Sequence, residues 1–143
     1  MFAACMIDFD MGLMFHKPPM LMVDELLASD AGGGMVLSRV RADNIFLDAA
    51  GRLSRAGLTE VMAQSFAATE AYQAWLAGIV KPGGYLVGLD HLVYRGAAGV
   101  GDTLTTRVKS EGQIDRVALV SGEVRNGETL LAAGRLRLYS VEV

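Results

Sequence analysis

Residues 57–66 read "GLTEVMAQSF" and set Glu60 among Leu58, Val61, Met62 and Phe66, in a stretch that carries almost no charge. If this segment is a buried helix, desolvation favours the neutral form of Glu60. The cost is several kcal/mol unless a partner or a function compensates. The segment therefore poses two questions together, what fold buries it and why it holds a carboxyl group.

Working outward, Ser54 has the chemistry of a helix N-cap, and the spacing predicts a helix to about Ala77, stopped by Gly78 and by "KPGG" at 81–84. It is the one long helix expected. Ahead of it, "MLMVDELLA" (20–28), the acidic glycine-rich turn "SDAGGG" and "MVLSRVRA" (35–42) read as a hairpin, followed by the loop "DNIFLDAAGRL". Behind it come four strand-like runs: "YLVGLDHLVY", "TLTTRVKSEG" with Leu104, Thr106 and Val108 on one face, "DRVALVSGEV" and "TLLAAGRLRLYSV". Asn126-Gly127 joins the last two, a pair suited to the positive φ of a tight hairpin turn. One helix and a run of strands predict an α+β domain, with the helix wrapped by a curved antiparallel sheet. Ala63, Ala67, Ala68, Ala71 and Ala74 keep the helix slim enough for a sheet or a ligand to approach closely.

The 143 residues are 52% hydrophobic and 20% charged, which fits a single domain spanning 1–143. A net charge of -3 leaves no basic field for a phosphate backbone, so nucleic acid is not an expected partner. The stretch from Ala56 to Val80 is long enough for a bilayer, yet it holds Glu60, Gln64, Glu70 and Gln73, so a buried helix and no membrane span is expected. Cys5 has no partner for an intrachain disulfide, and the first basic residue is Lys17, which fits a cytoplasmic protein with no secretory signal. Two histidines and one cysteine, widely dispersed, lack metal-ligand spacing, and "AGGGM" and "GAAGVGD" lack the lysine of a phosphate-cradling loop. Neither a metal nor another cofactor is expected.

"GLTEVMAQ", together with the order of elements, resembles the hotdog-fold dehydratases that act on 3-hydroxyacyl chains attached to acyl carrier protein, whose helix carries a motif of the form E-x-M-A-Q. "HKPPMLMVDEL" is similar to the family's N-terminal element, "GVGDTLTTRV" to its Gly-Asp turn before a later strand, and "ALVSGEVRNGETLLAAGRL" to its closing hairpin. Better-known members hold a catalytic histidine in a His-x-Pro-Gly loop before the helix, whereas "DNIFLDAAGRLSRAG" has neither histidine nor proline. A divergent aryl-polyene branch keeps an N-terminal histidine before a Pro-Met pair, and "FHKPPM" resembles that branch most. The resemblance implies a hotdog fold and elimination of water from a 3-hydroxyacyl thioester, carried on acyl carrier protein or coenzyme A. It also implies a homodimer, or a larger even-numbered assembly, joined edge to edge, with His16 and Glu60 coming from different subunits.

Dehydration needs a base at C2, an acid at the C3 hydroxyl and donors to the thioester oxygen. Glu60 matches the family's acid, and burial suits that role because it favours the protonated carboxyl. For the base there are two candidates. His16 sits beside the stiff Pro18-Pro19 pair, and His91 lies mid-strand, where a structural or solvent-facing imidazole is the commoner finding. Gln64, one turn after Glu60, is placed to orient the acid or touch substrate, unless it is simply a surface glutamine. Ala56 and Gly57 would present helix-start N–H groups to a thioester carbonyl, with Gly57 allowing close approach. Met11, Met14, Met20 and Met22 are either acyl-tunnel lining or core filler, and Tyr72 and Trp75 either core or subunit interface. Arg52, Arg55, Lys81 and Arg95 are candidates to meet an acidic carrier or its phosphopantetheine arm, or else ordinary surface charge. Two other functions compete: a hotdog acyl thioesterase, in which a helix carboxylate activates water, and a catalytically silent acyl-binding subunit of a dehydratase complex.

Overall fold

The computed structural model describes residues 7–79 and 83–141; Cys5, Lys81 and Pro82 lie outside them. A short 3-10 turn at Met11–Leu13 precedes a hairpin of β1 (Glu25–Asp30) and β2 (Gly33–Arg39). The helix α1 (Arg55–Leu76) follows, then β3 (Gly84–Tyr94), β4 (Thr103–Ile114), β5 (Val117–Asn126) and β6 (Thr129–Ser140). All six strands form one sheet in the order β1-β2-β4-β5-β6-β3, and every pairing is antiparallel. This is the hotdog arrangement that the resemblance implies, one long helix held against a wrapping sheet.

Local chemistry accounts for the helix limits. Ser54 accepts the Gly57 N–H at 3.2 Å as the N-cap, and Gly78 leaves the helix with φ +71. One apolar face, with Leu58, Val61, Met62 and Phe66, packs against Leu104, Val108, Val120, Val124, Leu131 and Leu136 of the sheet. Met14, Val23, Leu26, Val36 and Ala68 form a second cluster towards the helix C-terminal half. The close approach expected of the slim helix also relies on a glycine in the sheet. A Cβ at Gly122 would lie 3.0 Å from the Met62 sulfur. No helix among the described residues is long and apolar enough to cross a membrane.

Three local expectations are corrected. The first strand starts at Glu25 instead of Met20, because the backbone of Met20 and Met22 is bonded to the Gln64 side chain and is unavailable to β2. The second strand ends at Arg39, where Val40 turns its N–H to Asp102 O at 2.9 Å. In the β5-β6 turn only Gly127 takes positive φ, +59, with Asn126 still paired to Thr129. The "GVGD" turn forms as expected, Asp102 accepting the Gly99 N–H at 2.8 Å.

Candidate active site

Glu60 lies on the second turn of α1 with 17% of its side chain exposed. Gln64 follows one turn later on the same face and is fully buried. Its Oε1 accepts the Met22 N–H at 2.8 Å, and its Nε2 donates to Met20 O at 2.8 Å and to Glu60 Oε1 at 2.9 Å. A backbone N–H only donates and a carbonyl only accepts, so these two bonds define which way the amide points. Glu60 Oε1 is therefore an acceptor. A proton on this carboxyl belongs on Oε2.

The same bonds tie down the segment that carries His16. Its Nε2 stands 3.8 Å from Glu60 Oε1, with Phe15 set edge-on to the imidazole at 5.7 Å. That gap is too long for a hydrogen bond. Burial depresses the His16 pKa below the ordinary 6.5 and outweighs the opposing attraction of Glu60, so the imidazole is neutral at pH 7. Its Nδ1 is buried and has no hydrogen-bond partner among the described residues.

His16 and Glu60 face a cavity of about 100 Å³. Ala63, Ala67 and Ala71, one turn apart along α1, make one wall; Leu86 of β3 and Tyr139 of β6 help to make the other. Glu70 lies towards the far end, roughly 15 Å along the helix from Glu60 at 1.5 Å per residue.

With that geometry in view, the chain can be set beside known proteins. The sequence profile of the ApeP-like family, described as ApeP dehydratase, matches residues 11–142. The chain belongs to this ApeP-like dehydratase family. A chain of the dehydratase heterocomplex ApeI:P from Xenorhabdus doucetiae superposes with a TM-score of 0.84 at 21% identity, covering 91% of this chain and 89% of that one. The PaaI protein of the E. coli phenylacetic acid degradation operon gives 0.63 at 19% identity, covering 82% of each chain. A hypothetical thioesterase with coenzyme A from Streptococcus pneumoniae gives 0.58 at 14% identity, covering 82% of this chain and 84% of that one. No curated protein matches the chain.

In this ApeP-like chain the other candidates separate. The expectation that His16 and Glu60 come from different subunits is corrected, since a single chain brings them to 3.8 Å. Gly57 is buried, and the space a side chain would need is taken by Leu53 and Phe46, with atoms 2.6 to 2.8 Å from a hypothetical Cβ. Its close approach is therefore to the protein's own core; Ala56 is exposed on the first turn, and neither residue lines the cavity. Met14 and Met22 are core filler, and no methionine among the described residues lines the cavity. Tyr72 packs on Phe9 and Trp75, and Trp75 is 53% exposed. His91 is exposed on a bulge of β3 at φ +54 and opens onto a separate groove with Arg107, Lys109 and Arg135. Phe15, Leu86 and Tyr139 were not singled out by sequence reasoning. Nothing local marks residues so far apart in the chain as neighbours.

Replacing Gln64 by Leu keeps the volume but strips partners from the Met22 N–H, the Met20 carbonyl and Glu60. Each buried orphan costs about 1–3 kcal/mol, so a clear fall in thermal unfolding midpoint is expected, accompanied by loss of activity. An unchanged midpoint would show that the Gln64 strap is not a structural tie.

Proposed function

We propose that the protein removes water from a 3-hydroxyacyl thioester to give the trans-2-enoyl thioester. The observation that carries this reading is His16 held 3.8 Å from Glu60, with both side chains lining one largely apolar cavity. The two bonds broken in dehydration lie on adjacent carbons, so an acid and a base must act within a few ångströms of each other. His16 takes the C2 proton, and Glu60 gives its Oε2 proton to the departing C3 hydroxyl, which leaves as water. Proton return from the imidazolium to the carboxylate restores both groups. The substrate is carried on acyl carrier protein or coenzyme A, in fatty-acid or polyene-type biosynthesis in the cytoplasm.

The deciding experiment incubates pure protein with 3-hydroxyacyl and saturated acyl thioesters and follows enoyl product and free thiol separately. Enoyl product without thiol release is expected. Thiol release would select the thioesterase reading. Neither product from the protein alone, with activity on adding a second hotdog subunit, would make it a silent partner.

The pH dependence follows from the direction of the His16 shift. A base with a lowered pKa stays competent below the usual histidine range, so kcat/KM should be level near neutral pH and fall on an acid limb whose midpoint is under 6.5. The unfolded chain takes up this proton more readily than the folded one. Stability from the buried neutral imidazole is therefore full above pH 6.5 and declines as the pH drops towards the folded value. An acid limb centred above 6.5 would point to another base.

The reading also includes assembly. β3 is an edge strand with Tyr85, Val87, Leu89 and Val93 exposed, and open apolar edges are ordinarily paired or covered. A cavity of about 100 Å³ is small beside ligand sites of roughly 300–1,000 Å³. A second hotdog chain added at the β3 edge, beside the cavity residue Leu86, would extend its wall. We therefore expect a homodimer or an even-numbered assembly, with a related dehydratase subunit as the other possible occupant. A monomer in sedimentation at micromolar concentration would contradict this.

A further inference from the structure

Of the large apolar side chains that line the cavity, Phe15 is the most exposed, at 57%. Its ring stands edge-on to the His16 imidazole, with centroids 5.7 Å apart and planes at 81°. It also rests on Gly83, where a Cβ would come within 2.5 Å of Phe15 Cγ and 2.9 Å of Phe15 Cβ and Cδ2. Beside the reacting pair the cavity is thus closed by a wall one side chain thick, with solvent behind it. The other walls have less room to give. Ala63 and Phe66 are each 7% exposed on α1, and Leu138 packs against the core. The backbone that carries Phe15 is tied on both sides. Met14 before it is buried in the second cluster. After it, the Met20 and Leu21 N–H groups both return to Lys17 O, at 2.8 and 3.1 Å, and Gln64 holds Met20 and Met22. An exposed ring on a fixed backbone can be cut back without releasing the segment that holds His16.

We propose that Phe15 is the specificity-determining residue of the cavity and that it restricts the site to unbranched acyl chains. This rests on the reading of the protein as an acyl-thioester dehydratase, in which the apolar cavity holds the acyl chain, the apolar part of the substrate. His16 acts at C2 and Glu60 at C3, so a ring packed against His16 meets the chain close to C4. A straight chain lies along α1 over Ala63 and Ala67, whereas a methyl branch at C4 has to enter the space that the ring fills. A cavity of about 100 Å³ has no spare width for the branch, and a single methyl group is felt in close-packed surroundings. One methylene in a hydrophobic pocket changes selection by about 10–200-fold.

The test compares the 3-hydroxyhexanoyl and 3-hydroxy-4-methylpentanoyl thioesters of N-acetylcysteamine, isomers that differ only in the branch. The quantity read is the linear-to-branched ratio of kcat/KM. It is measured in the unaltered chain, in Phe15→Ala and Phe15→Leu, and in Leu13→Ala, whose leucine is 54% exposed and lies outside the cavity. The ratio should be about 10 or more in the unaltered chain and in Leu13→Ala, and fall about 10-fold in Phe15→Ala and less in Phe15→Leu. Both substrates meet the same variant, so any disturbance of His16 cancels in the ratio. Should Phe15→Ala fail to fold, Phe15→Leu carries the comparison. A ratio near unity in the unaltered chain, or one unchanged in the folded Phe15 variants, would overturn the inference. Unreactive analogues separate it from the proposed reaction. In the hexanoyl and 4-methylpentanoyl amides of N-acetylethylenediamine an N–H replaces the thioester sulfur and C3 bears no hydroxyl, so they neither lose water nor release thiol. By calorimetry the unaltered chain should bind the linear amide more tightly, and that preference should fall about 10-fold in Phe15→Ala. If the protein proved inactive on both thioesters, the reaction would be wrong and the amides would still decide the role of Phe15. Binding of neither amide, or an equal preference in the Phe15 variants, would sink it.

Discussion

Glu60→Gln should leave the fold intact and lower dehydratase turnover by roughly 100-fold or more, the usual contribution of a positioned acid. The amide is close in size to the carboxyl, and its own Oε1 can still accept the Gln64 Nε2–H that now meets Glu60 at 2.9 Å. The strap from α1 to Met20 and Met22 therefore survives, and the unfolding midpoint should move little. What disappears is the proton at the Oε2 position, which an amide does not release to a departing hydroxyl. Turnover and thermal unfolding measured on the same preparation separate the two effects. Normal turnover in a well-folded Glu60→Gln protein would remove Glu60 from the mechanism.

His16→Ala should fall by a comparable factor, about 100-fold or more, because no other described histidine reaches the cavity and His91 opens onto a different groove. Mixing the two variants is the more informative step. If His16 and Glu60 came from different subunits, an exchanged dimer of His16→Ala with Glu60→Gln would regain one intact site. With the two side chains 3.8 Å apart in one chain, each subunit of such a dimer still lacks one member of its own pair. The expected result is no recovery, even after exchange is demonstrated with labelled subunits. Recovery would mean that the working pair forms across an interface. A live His16→Ala protein beside a dead His91→Ala one would mean that the base lies in the outer groove.

The sequence by itself determined the features governed by short-range physics. Ser54 and Gly78 mark the helix because a cap oxygen and a positive φ act within a few residues. The alternation of Leu104, Thr106 and Val108 marks β4 because the strand period is two. Glu60 and Gln64 were legible as a pair because one helical turn puts them on the same face. Only the tertiary structure decided the order of the sheet, with β3 beside β6 at one edge and β1 at the other, since antiparallel pairing between distant strands depends on how the core closes. It also decided that Gln64 would claim the backbone of Met20 and Met22, shortening the first strand and bringing His16 to Glu60 within one chain. Gly57 shows the same division. Its lack of a side chain was visible from the start, but which neighbour needed the space depended on Leu53 and Phe46 folding over the helix start. Arg52, Arg55 and Arg95 looked scattered for the same reason, because nothing local in the chain records that the loop before α1 and the end of β3 meet around one pocket.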